Sequence, residues 1–407
     1  VINKNGTIEH LFRPSSSNVA KIIALEFPNG EAFEFSYGKL IDGEQYLTEV
    51  THRQTGTTHL TLNYNGSQCT SFEYPEDNGI TAKIAMRYSN DYLIAVTVPY
   101  DNTKEPSTPD EYAKFAIDYD MLQDAFPVIT TFRTPAASVE TVSYVSEGHH
   151  ATDDFLIPYA AVHKTFPGNG QPAITKKYEY STVNNFLGYS SGKVDFATDE
   201  DNLYLVLGEY TYSSIEKLLD EDGSTVSLTE RFFNKFHLMT KERKTQLNSQ
   251  VITEIEYNED PSKQFVDQPA NLQQPRLVTT TYKDLLTEKT RTETVETISD
   301  DWGNTTQTTE ASGIKKDYVY YSGIEASEGC PADPLGFTRF LKSLTQTPVS
   351  IEGVETEPKV TTYTYSELGT FEQAHISAYV VKATEEINDK VSKSFIYVDD
   401  TTSNTHG

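Results

Sequence analysis

The sequence predicts an all-β chain of serial antiparallel β-hairpins that form one long curved or spiral sheet, with at most one or two short helices. Three observations lead to this prediction. Tyrosine and phenylalanine number 26 and 20 among 407 residues, and aromatic residues favour strands. Aromatic residues also recur two positions apart, which places both rings on one face of a strand. Finally, glycine-containing turn motifs separate the alternating segments, as in hairpins.

The N-terminal stretch, residues 1–105, is predicted to be a meander of short antiparallel strands. Dipeptides that favour tight turns punctuate it: Asn29-Gly30, Asp42-Gly43, Asn65-Gly66 and Asn78-Gly79. Each pair tolerates positive φ at both central positions of a two-residue turn. The segments on either side of Asn65-Gly66 alternate in polarity, so we expect them to pair.

Residues 106–175 are predicted to be a loop-rich β segment. A polar, proline-containing stretch at 99–110 opens it, and a second loop is expected at 147–171, where glycine and proline recur. The third stretch, residues 176–407, is predicted to be a degenerate array of hairpins, which together with the rest of the chain can make one continuous sheet. It contains a turn at Asp222-Gly223 and strands at 251–257 and 277–282.

Aromatic pairs with the two-residue spacing occur throughout: Phe33 and Phe35, Phe72 and Tyr74, Tyr178 and Tyr180, Tyr210 and Tyr212, Tyr318 and Tyr320. One short helix is expected near the C-terminal end of the array. Asp333 is suited to cap it and Pro334 to its first turn, and apolar residues follow at helical spacing up to Leu344.

A strand followed by an Asp-x-x-Gly turn and a threonine-rich strand occupies residues 298–310. A similar turn is expected at 365–370, where Ser366 stands in place of aspartate, and a degenerate copy begins at 395–400. Residues 233–238 form a further copy, in which Phe236 is expected at the glycine position. A tight turn with positive φ is therefore not expected there.

These motifs resemble the RHS or YD-repeat family, whose unit reads roughly Tyr-x-Tyr-Asp-x-x-Gly followed by Arg or Asn. Residues 300–304 match the turn and the following Asn, and residues 363–369 match the paired tyrosines and the glycine. The resemblance implies a β-sheet that coils into a hollow shell around a toxic C-terminal segment. It further implies a non-enzymatic scaffold segment of a larger bacterial toxin or toxin-complex subunit, secreted or delivered to the cell surface after assembly in the bacterial cytoplasm.

The partners that the resemblance implies are the rest of the parent chain and a toxin cargo, with other toxin-complex subunits or glycans as further candidates. Because members of the family often carry the label sugar-binding protein, a secreted carbohydrate-binding or adhesion module is the alternative function. The chain starts at Val1 and ends within a repeat at Gly407. We therefore expect it to be a piece of a longer protein.

The formal charge is −27, from 33 basic and 60 acidic residues. Such a field repels nucleic acid and anionic lipid, so we expect no nucleic-acid partner. The acidic charge keeps the chain soluble, as is common for secreted bacterial proteins, or else attracts a basic cargo. The two cysteines, Cys69 and Cys330, lie far apart and predict neither a disulfide framework nor a metal site. No apolar run approaches the ~18 residues that span a bilayer.

Three groups of residues are candidates for chemistry, each weighed against an ordinary structural role. His149, His150, Asp153 and Asp154 offer metal ligands, or else belong to a solvated loop. Trp302 offers a platform for sugar stacking with polar partners at Asp300, Asp301 and Asn304, or else covers a sheet edge.

Asp333 is the third candidate, because the sequence Asp333-Pro334-Leu335-Gly336 matches the Asp-Pro-x-Gly motif at which members of the RHS family cleave themselves; its other interpretation is the helix cap. The sequence contains no nucleophile elbow, P-loop or dinucleotide fingerprint. We therefore expect no enzymatic activity and no cofactor.

Overall fold

The computed structural model describes residues 1–13, 19–76, 79–102, 111–152, 154–181, 184–189, 197, 200–350, 352, 354 and 356–398. Within these residues there are 27 β-strands. Twenty-five of them belong to one sheet, and the other two form a separate hairpin. The helical elements described are two short 3-10 turns, Asn202–Leu205 and Phe265–Asp267. The all-β prediction is confirmed.

The strands in chain order are β1 Ile8–Phe12, β2 Lys21–Glu26, β3 Ala32–Ser36, β4 Lys39–Ile41, β5 Glu44–Tyr46, β6 Glu49–His52, β7 Thr58–Asn65, β8 Gln68–Pro75, β9 Thr81–Ser89, β10 Tyr92–Pro99, β11 Tyr112–Leu122, β12 Phe126–Arg133, β13 Val139–His150, β14 Leu156–Phe166, β15 Ile174–Tyr180, β16 Thr211–Leu219, β17 Thr225–Asn234, β18 Met239–Gln246, β19 Ser249–Tyr257, β20 Pro275–Asp284, β21 Thr290–Ser299, β22 Thr305–Thr309, β23 Lys315–Tyr320, β24 Leu341–Thr347, β25 Lys359–Gly369, β26 Ala378–Ile387 and β27 Lys390–Ser394.

The chain divides into two compact units. The first comprises Val1–Lys114 with Lys316–Gly407, and the second comprises Phe115–Lys315. The division of the sequence at residues 105 and 175 stays a prediction. In the second unit, each strand from β11 to β22 pairs antiparallel with the next one along the chain. This order is the serial hairpin array that the sequence predicts.

The first unit contains two series of the same kind. One runs from β1 through β2, β3 and β6 to β10, and the β4–β5 hairpin is a side branch between β3 and β6. The other runs from β24 to β27. Phe371 N donates to Asn29 O at 3.0 Å, so this unit joins residues from both ends of the described chain.

The Asp-x-x-Gly turns share one geometry. Asp300 N donates to Asn304 O at 2.9 Å, Gly303 N donates to Asp300 O at 2.9 Å, and Gly303 has φ +71°. The same two hydrogen bonds close the turns at 220–224 and 310–314. This is the three-residue hairpin loop that ends in a left-handed bulge residue. The predicted hairpins at 300–303 and 222–223 are thereby confirmed.

The two-residue turns follow the prediction at one site and depart from it at others. Asp42 and Gly43 have φ of +50° and +86°, as expected for a mirror-image type I turn. The segments around Asn65-Gly66 pair as expected, but Asn65 is the last residue of β7 and pairs with Gln68, so the turn residues are Gly66 and Ser67. At Gly30 the loop is the three-residue type, because Gly30 N donates to Phe27 O. Asn78 lies outside the described residues.

The copy at 233–238 forms a tight turn after all. His237, which has φ +58°, occupies the position that glycine holds in the other copies, so the expectation that Phe236 does so is wrong. Asn234 Oδ1 accepts hydrogen bonds from Phe236 N and Leu238 N, each at 3.0 Å. This Asx turn supplies the backbone contacts that hold a non-glycine residue in the left-handed region.

The predicted helix after Asp333 is wrong. Gly336 has φ +75° and its N–H donates to Asp333 O at 2.9 Å, so the chain turns there instead of continuing a helix. Of the apolar residues that follow, Leu341 and Leu344 belong to β24, and residues 343–346 of β24 pair with β25. The cross-strand pairing outweighs the helical spacing, which short apolar segments specify weakly.

The loop expected at 147–171 is also wrong, because β13 and β14 form a long hairpin through it. The register shifts between Val145 and His149, and a Cβ on Gly148 would collide with the Ile157 carbonyl oxygen. Glycine here marks a β-bulge with close backbone approach. Of the loop at 99–110, residues 103–110 lie outside the described part of the chain, and β10 ends at Pro99.

The turn expected around Ser366 is wrong as well. Strand β25 continues to Gly369, and Ser366 pairs with Val381 of β26. Ser366 occupies the position that aspartate holds in the turns that do form.

A line of alternating charges crosses strands β15 to β18. Glu216 is 2.8 Å from Lys176 and 3.6 Å from Arg231, and Arg231 is 3.0 Å from Glu242. Oppositely charged cross-strand neighbours stabilise a sheet and fix its register. The Lys176 ammonium also lowers the pKa of Glu216.

In the described residues, no helix is long and apolar enough to cross a membrane.

Candidate functional site

The turn that carries Trp302 joins β21 to β22. Asp300 Oδ1 accepts from Trp302 N at 2.9 Å and from Asn304 N at 2.7 Å, and Asp300 Oδ2 accepts from Asn304 Nδ2 at 2.9 Å. Asn304 is buried, while the Trp302 side chain is 45% exposed. Two of the three polar partners expected for a sugar, Asp300 and Asn304, thus build the turn itself. Trp302 and Asp301 remain at its exposed tip, and sugar contact there stays a prediction.

The proposed metal ligands lie at the end of β13 and beyond it. His149 and His150 are consecutive strand residues, opposite Ile157 and Leu156 of β14. Consecutive strand residues point to opposite faces, and the His150 ring stacks on Tyr189 at a centroid distance of 4.8 Å. Asp154 is exposed and Asp153 lies outside the described residues. Across the described residues, no group of three or more metal-ligating side chains occurs.

Asp333 is fully buried. Its Oδ1 accepts from Leu335 N at 2.8 Å, and its Oδ2 pairs with the Arg339 guanidinium. Arg339 also donates to Lys4 O at 2.7 Å, so this aspartate anchors a link between distant parts of the first unit. Because the described residues after Asp333 form no helix, this residue is not a helix cap. Self-cleavage at Asp333 stays an untested candidate role, and its contacts are those of a structural residue.

A cavity of about 300 Å³ lies in the second unit. It is lined mainly by rings from the ends of β13, β15, β16 and β17 and from the segments that follow: His149, Tyr180, Phe186, Tyr212, Phe233 and His237. Concave apolar sites of this size with a few polar groups are the usual form of ligand pockets. We refer to it as the aromatic cavity.

The strand register explains why these rings meet. Tyr212 lies opposite Phe233 in the β16–β17 pair, and their rings stack at 5.1 Å. Tyr180 lies opposite Ser214 in the β15–β16 pair. The aromatic residues of three neighbouring strands therefore fall beside one another on one face.

His149 forms another wall of the aromatic cavity. Its ring lies 4.9 Å from Tyr180, 5.0 Å from Tyr159 and 5.0 Å from Phe186, measured between centroids. The side chain is 7% exposed, and burial lowers the pKa of His149. The imidazole is therefore neutral at pH 7, with one ring nitrogen as a hydrogen-bond acceptor.

A hydrogen-bonded relay borders the same cavity. His237 Nε2 is 2.8 Å from Asp201 Oδ2, and His237 Nδ1 is 2.7 Å from the Tyr212 hydroxyl. Because the carboxylate only accepts, Nε2 carries a proton, and when this is the one proton on the ring Nδ1 accepts from the Tyr212 hydroxyl. Burial raises the pKa of Tyr212. The phenol thus remains protonated at neutral pH and serves as a donor.

Lys235 lies in the turn at 234–238 and is 2% exposed. It donates to the carbonyl oxygens of Val206, Pro261 and Lys263 at 2.8, 2.6 and 3.0 Å. These bonds fix the loops that flank β16 and β20. They also account for the three donors of the ammonium group.

The first unit contains a corresponding buried charge. Glu26 is 1% exposed and its carboxylate contacts Arg53 at 3.1 Å and His10 at 3.2 Å. Its other oxygen accepts from His375 N at 2.6 Å. This cluster joins the N-terminal strands to the segment that precedes β26, and it has the character of a structural anchor.

Sequence reasoning did not find the aromatic cavity. It identified the pairs Tyr178–Tyr180 and Tyr210–Tyr212 and the turn copy at 233–238, which together supply three of the walls. It did not identify the convergence, since this depends on the register of three strands. The polar residues around His149 predict a loop, whereas His149 lies in β13 with its ring among those of the cavity.

No protein-family model and no curated protein matches the sequence. Among solved structures, the chain is similar to TcdB2-TccC3 without its hypervariable C-terminal region, with 8% identity, a TM-score of 0.32, and coverage of 97% of this chain and 21% of that one. A structure of TcdB2-TccC3 gives 9% identity, a TM-score of 0.26 and coverage of 93% and 24%. TcdB2-TccC3-Cdc42 gives 11% identity, a TM-score of 0.20 and coverage of 93% and 22%. The chain spans about a fifth of the length of these structures.

Proposed function

We propose that the chain is a non-enzymatic scaffold segment of a larger bacterial RHS-repeat toxin or toxin-complex subunit, where it encloses or presents a toxic cargo. The observation that carries this proposal is the serial order of β11 to β22, in which every strand pairs with its sequence neighbour. A sheet of this kind extends by adding hairpins, as a continuous wall requires.

The hydrogen bonds and ion pairs of the candidate polar residues support a structural role for them. Asp300 and Asn304 close a turn on themselves, Asp333 holds Arg339, and Lys235 holds three backbone carbonyls. Each of these side chains stabilises the turn or the loops that it contacts. We therefore propose that the chain has no catalytic role and takes no cofactor.

The acidic charge supports a basic cargo. With a formal charge of −27, the chain attracts cationic polypeptide segments and repels nucleic acid. The partners that we propose are accordingly the remainder of the parent chain and its toxin segment, in a protein that is secreted or delivered to the cell surface.

Protease protection tests this function. The chain is expressed together with the toxin segment of its parent gene, and the rate of trypsin cleavage of that segment is measured with and without the chain. We expect cleavage to slow by about tenfold or more when the chain is present, because an enclosed segment is cut only while the enclosure is open. An unrelated acidic β-protein at the same concentration is the control, and equal cleavage rates in all three samples would rule out enclosure.

The alternative is a carbohydrate-binding module, and the exposed Trp302 ring is the observation that favours it. A glycan array distinguishes the two functions. A scaffold gives no saturable signal, whereas a lectin gives one that Trp302→Ala abolishes.

A further inference from the structure

We propose that the aromatic cavity of the second unit is a binding site for a single phenol or indole ring, which donates one hydrogen bond to His149. This proposal is independent of the scaffold role. It rests on the shape of the cavity, on the pairing of its polar atoms and on the position of His149.

The walls select a flat apolar ligand. Tyr180, Phe186 and Phe233 present ring faces and edges to a space of about 300 Å³, which is at the lower end of the range for small-molecule sites. Aromatic rings pack against one another in offset or edge-to-face arrangements that add to the gain from burial alone. A ligand with one or two fused rings therefore suits the cavity.

Most polar atoms of the lining already have partners, which disfavours a polar ligand such as a sugar. The Tyr212 hydroxyl and both His237 nitrogens belong to the relay with Asp201. Asn185 Nδ2 donates to His150 O at 2.8 Å and Asn185 Oδ1 accepts from Leu187 N at 2.9 Å. A ligand with many hydroxyl groups would have to leave them unpaired, at a cost for each.

His149 differs from these three side chains. Its imidazole lines the cavity and is more than nine-tenths buried, and in the part of the chain that the structure describes its ring contacts are aromatic. A neutral buried imidazole offers one acceptor nitrogen, and a buried polar atom gains most from a partner that also excludes water. A phenol O–H or an indole N–H is a donor of the required kind.

Ligand-observed fluorine NMR with 4-fluorophenol and fluorobenzene tests the proposal. The two probes share a ring, and only the phenol has a donor. For ligands of this size we expect a Kd on the order of 1 mM for 4-fluorophenol. We expect binding of fluorobenzene to be roughly fivefold weaker, which corresponds to the loss of one hydrogen bond.

The variant His149→Phe removes the acceptor and keeps a ring in the wall. We expect the preference for the phenol to disappear, so that the two affinities agree within about twofold. The matched control is His163→Phe, because His163 lies on β14, pairs with Glu140 and does not line the cavity. It should keep the full preference.

Phe186→Ala provides a second test that does not alter a strand. This half-exposed side chain follows β15 and covers one wall, and its loss should weaken both probes about fivefold. Unchanged circular dichroism confirms that each variant is folded. The proposal is overturned if neither probe gives a saturable fluorine shift at a concentration tenfold above about 1 mM. It is also overturned if 4-fluorophenol and fluorobenzene bind equally well, or if His163→Phe abolishes the preference for 4-fluorophenol.

Pentapeptides with a central tyrosine or phenylalanine distinguish the two sources of the ring. If the tyrosine peptide binds better than the phenylalanine peptide, the ring comes from a polypeptide side chain. If only the free probes bind, the ring belongs to a free small molecule. In either case the proposal requires that the ligand with a hydrogen-bond donor bind more tightly, and that His149→Phe remove this difference.

Discussion

Replacement of Lys235 by methionine is expected to lower the free energy of unfolding of the second unit by about 3–5 kcal/mol. Lys235 is 2% exposed, and its ammonium donates to the carbonyl oxygens of Val206, Pro261 and Lys263. Each charge-assisted hydrogen bond contributes about 1.5–3 kcal/mol. Methionine has a similar length and needs no desolvation of a charge, so it recovers part of that loss.

Urea unfolding followed by tryptophan fluorescence measures this change. The chain has one tryptophan, Trp302, and it lies in the same unit as Lys235. With a denaturant slope of about 2 kcal/mol/M, the transition midpoint should fall by roughly 1.5–2.5 M. The slope itself should change little, because both proteins expose the same surface on unfolding.

Lys241→Met is the matched control for Lys235→Met. Lys241 pairs with Glu254 at 2.8 Å on the solvent-exposed surface of β18 and β19. Such exposed pairs contribute about 0–1 kcal/mol. If the two variants have free energies of unfolding within about 1 kcal/mol of each other, the three hydrogen bonds of Lys235 do not stabilise the fold as argued.

Three further predictions concern other parts of the chain. Gly323→Ala would place a Cβ against the Phe337 carbonyl oxygen, and it should lower the thermal midpoint of the first unit through a loss of about 1–3 kcal/mol. Asp333→Asn leaves Arg339 without its buried partner and should destabilise by about 3–5 kcal/mol, while electrophoresis shows one intact chain for both proteins. Because its lysine partner lowers the pKa of Glu216, this carboxylate stabilises the fold above its unfolded pKa and ceases to do so as the pH falls through the lower folded value. Urea midpoints of wild type should thus fall more steeply than those of Glu216→Gln below about pH 4.5.

The fold class and several turns could be predicted from the sequence because they depend on local chemistry. Asp300 accepts hydrogen bonds from the backbone of its own turn, and Gly303 supplies a left-handed residue without a steric penalty. Both requirements are met by particular residue types at a fixed spacing, which the sequence shows directly. The same holds for Asp42-Gly43, where both residues have positive φ.

Other features could not be predicted because they depend on pairing between distant residues. The spacing of apolar residues after Asp333 fits a helix, but β25 pairs with residues 343–346 and holds them in a strand. Gly148 was interpreted as a loop residue, whereas it accommodates the close approach of β14 at a bulge. In both cases a neighbour that is remote in sequence decides the conformation.

The conformation of the turn at His237 depends both on local hydrogen bonds and on contacts with residues distant in sequence. Asn234 specifies the turn from within, as Asp300 does in its own copy. A histidine at the left-handed position costs on the order of 1–2 kcal/mol relative to glycine. That cost is offset by the hydrogen bonds to Tyr212 and Asp201, which a glycine would not make. A residue that departs from the turn pattern and carries local strain thus lies at the wall of the aromatic cavity, beside the proposed ligand site.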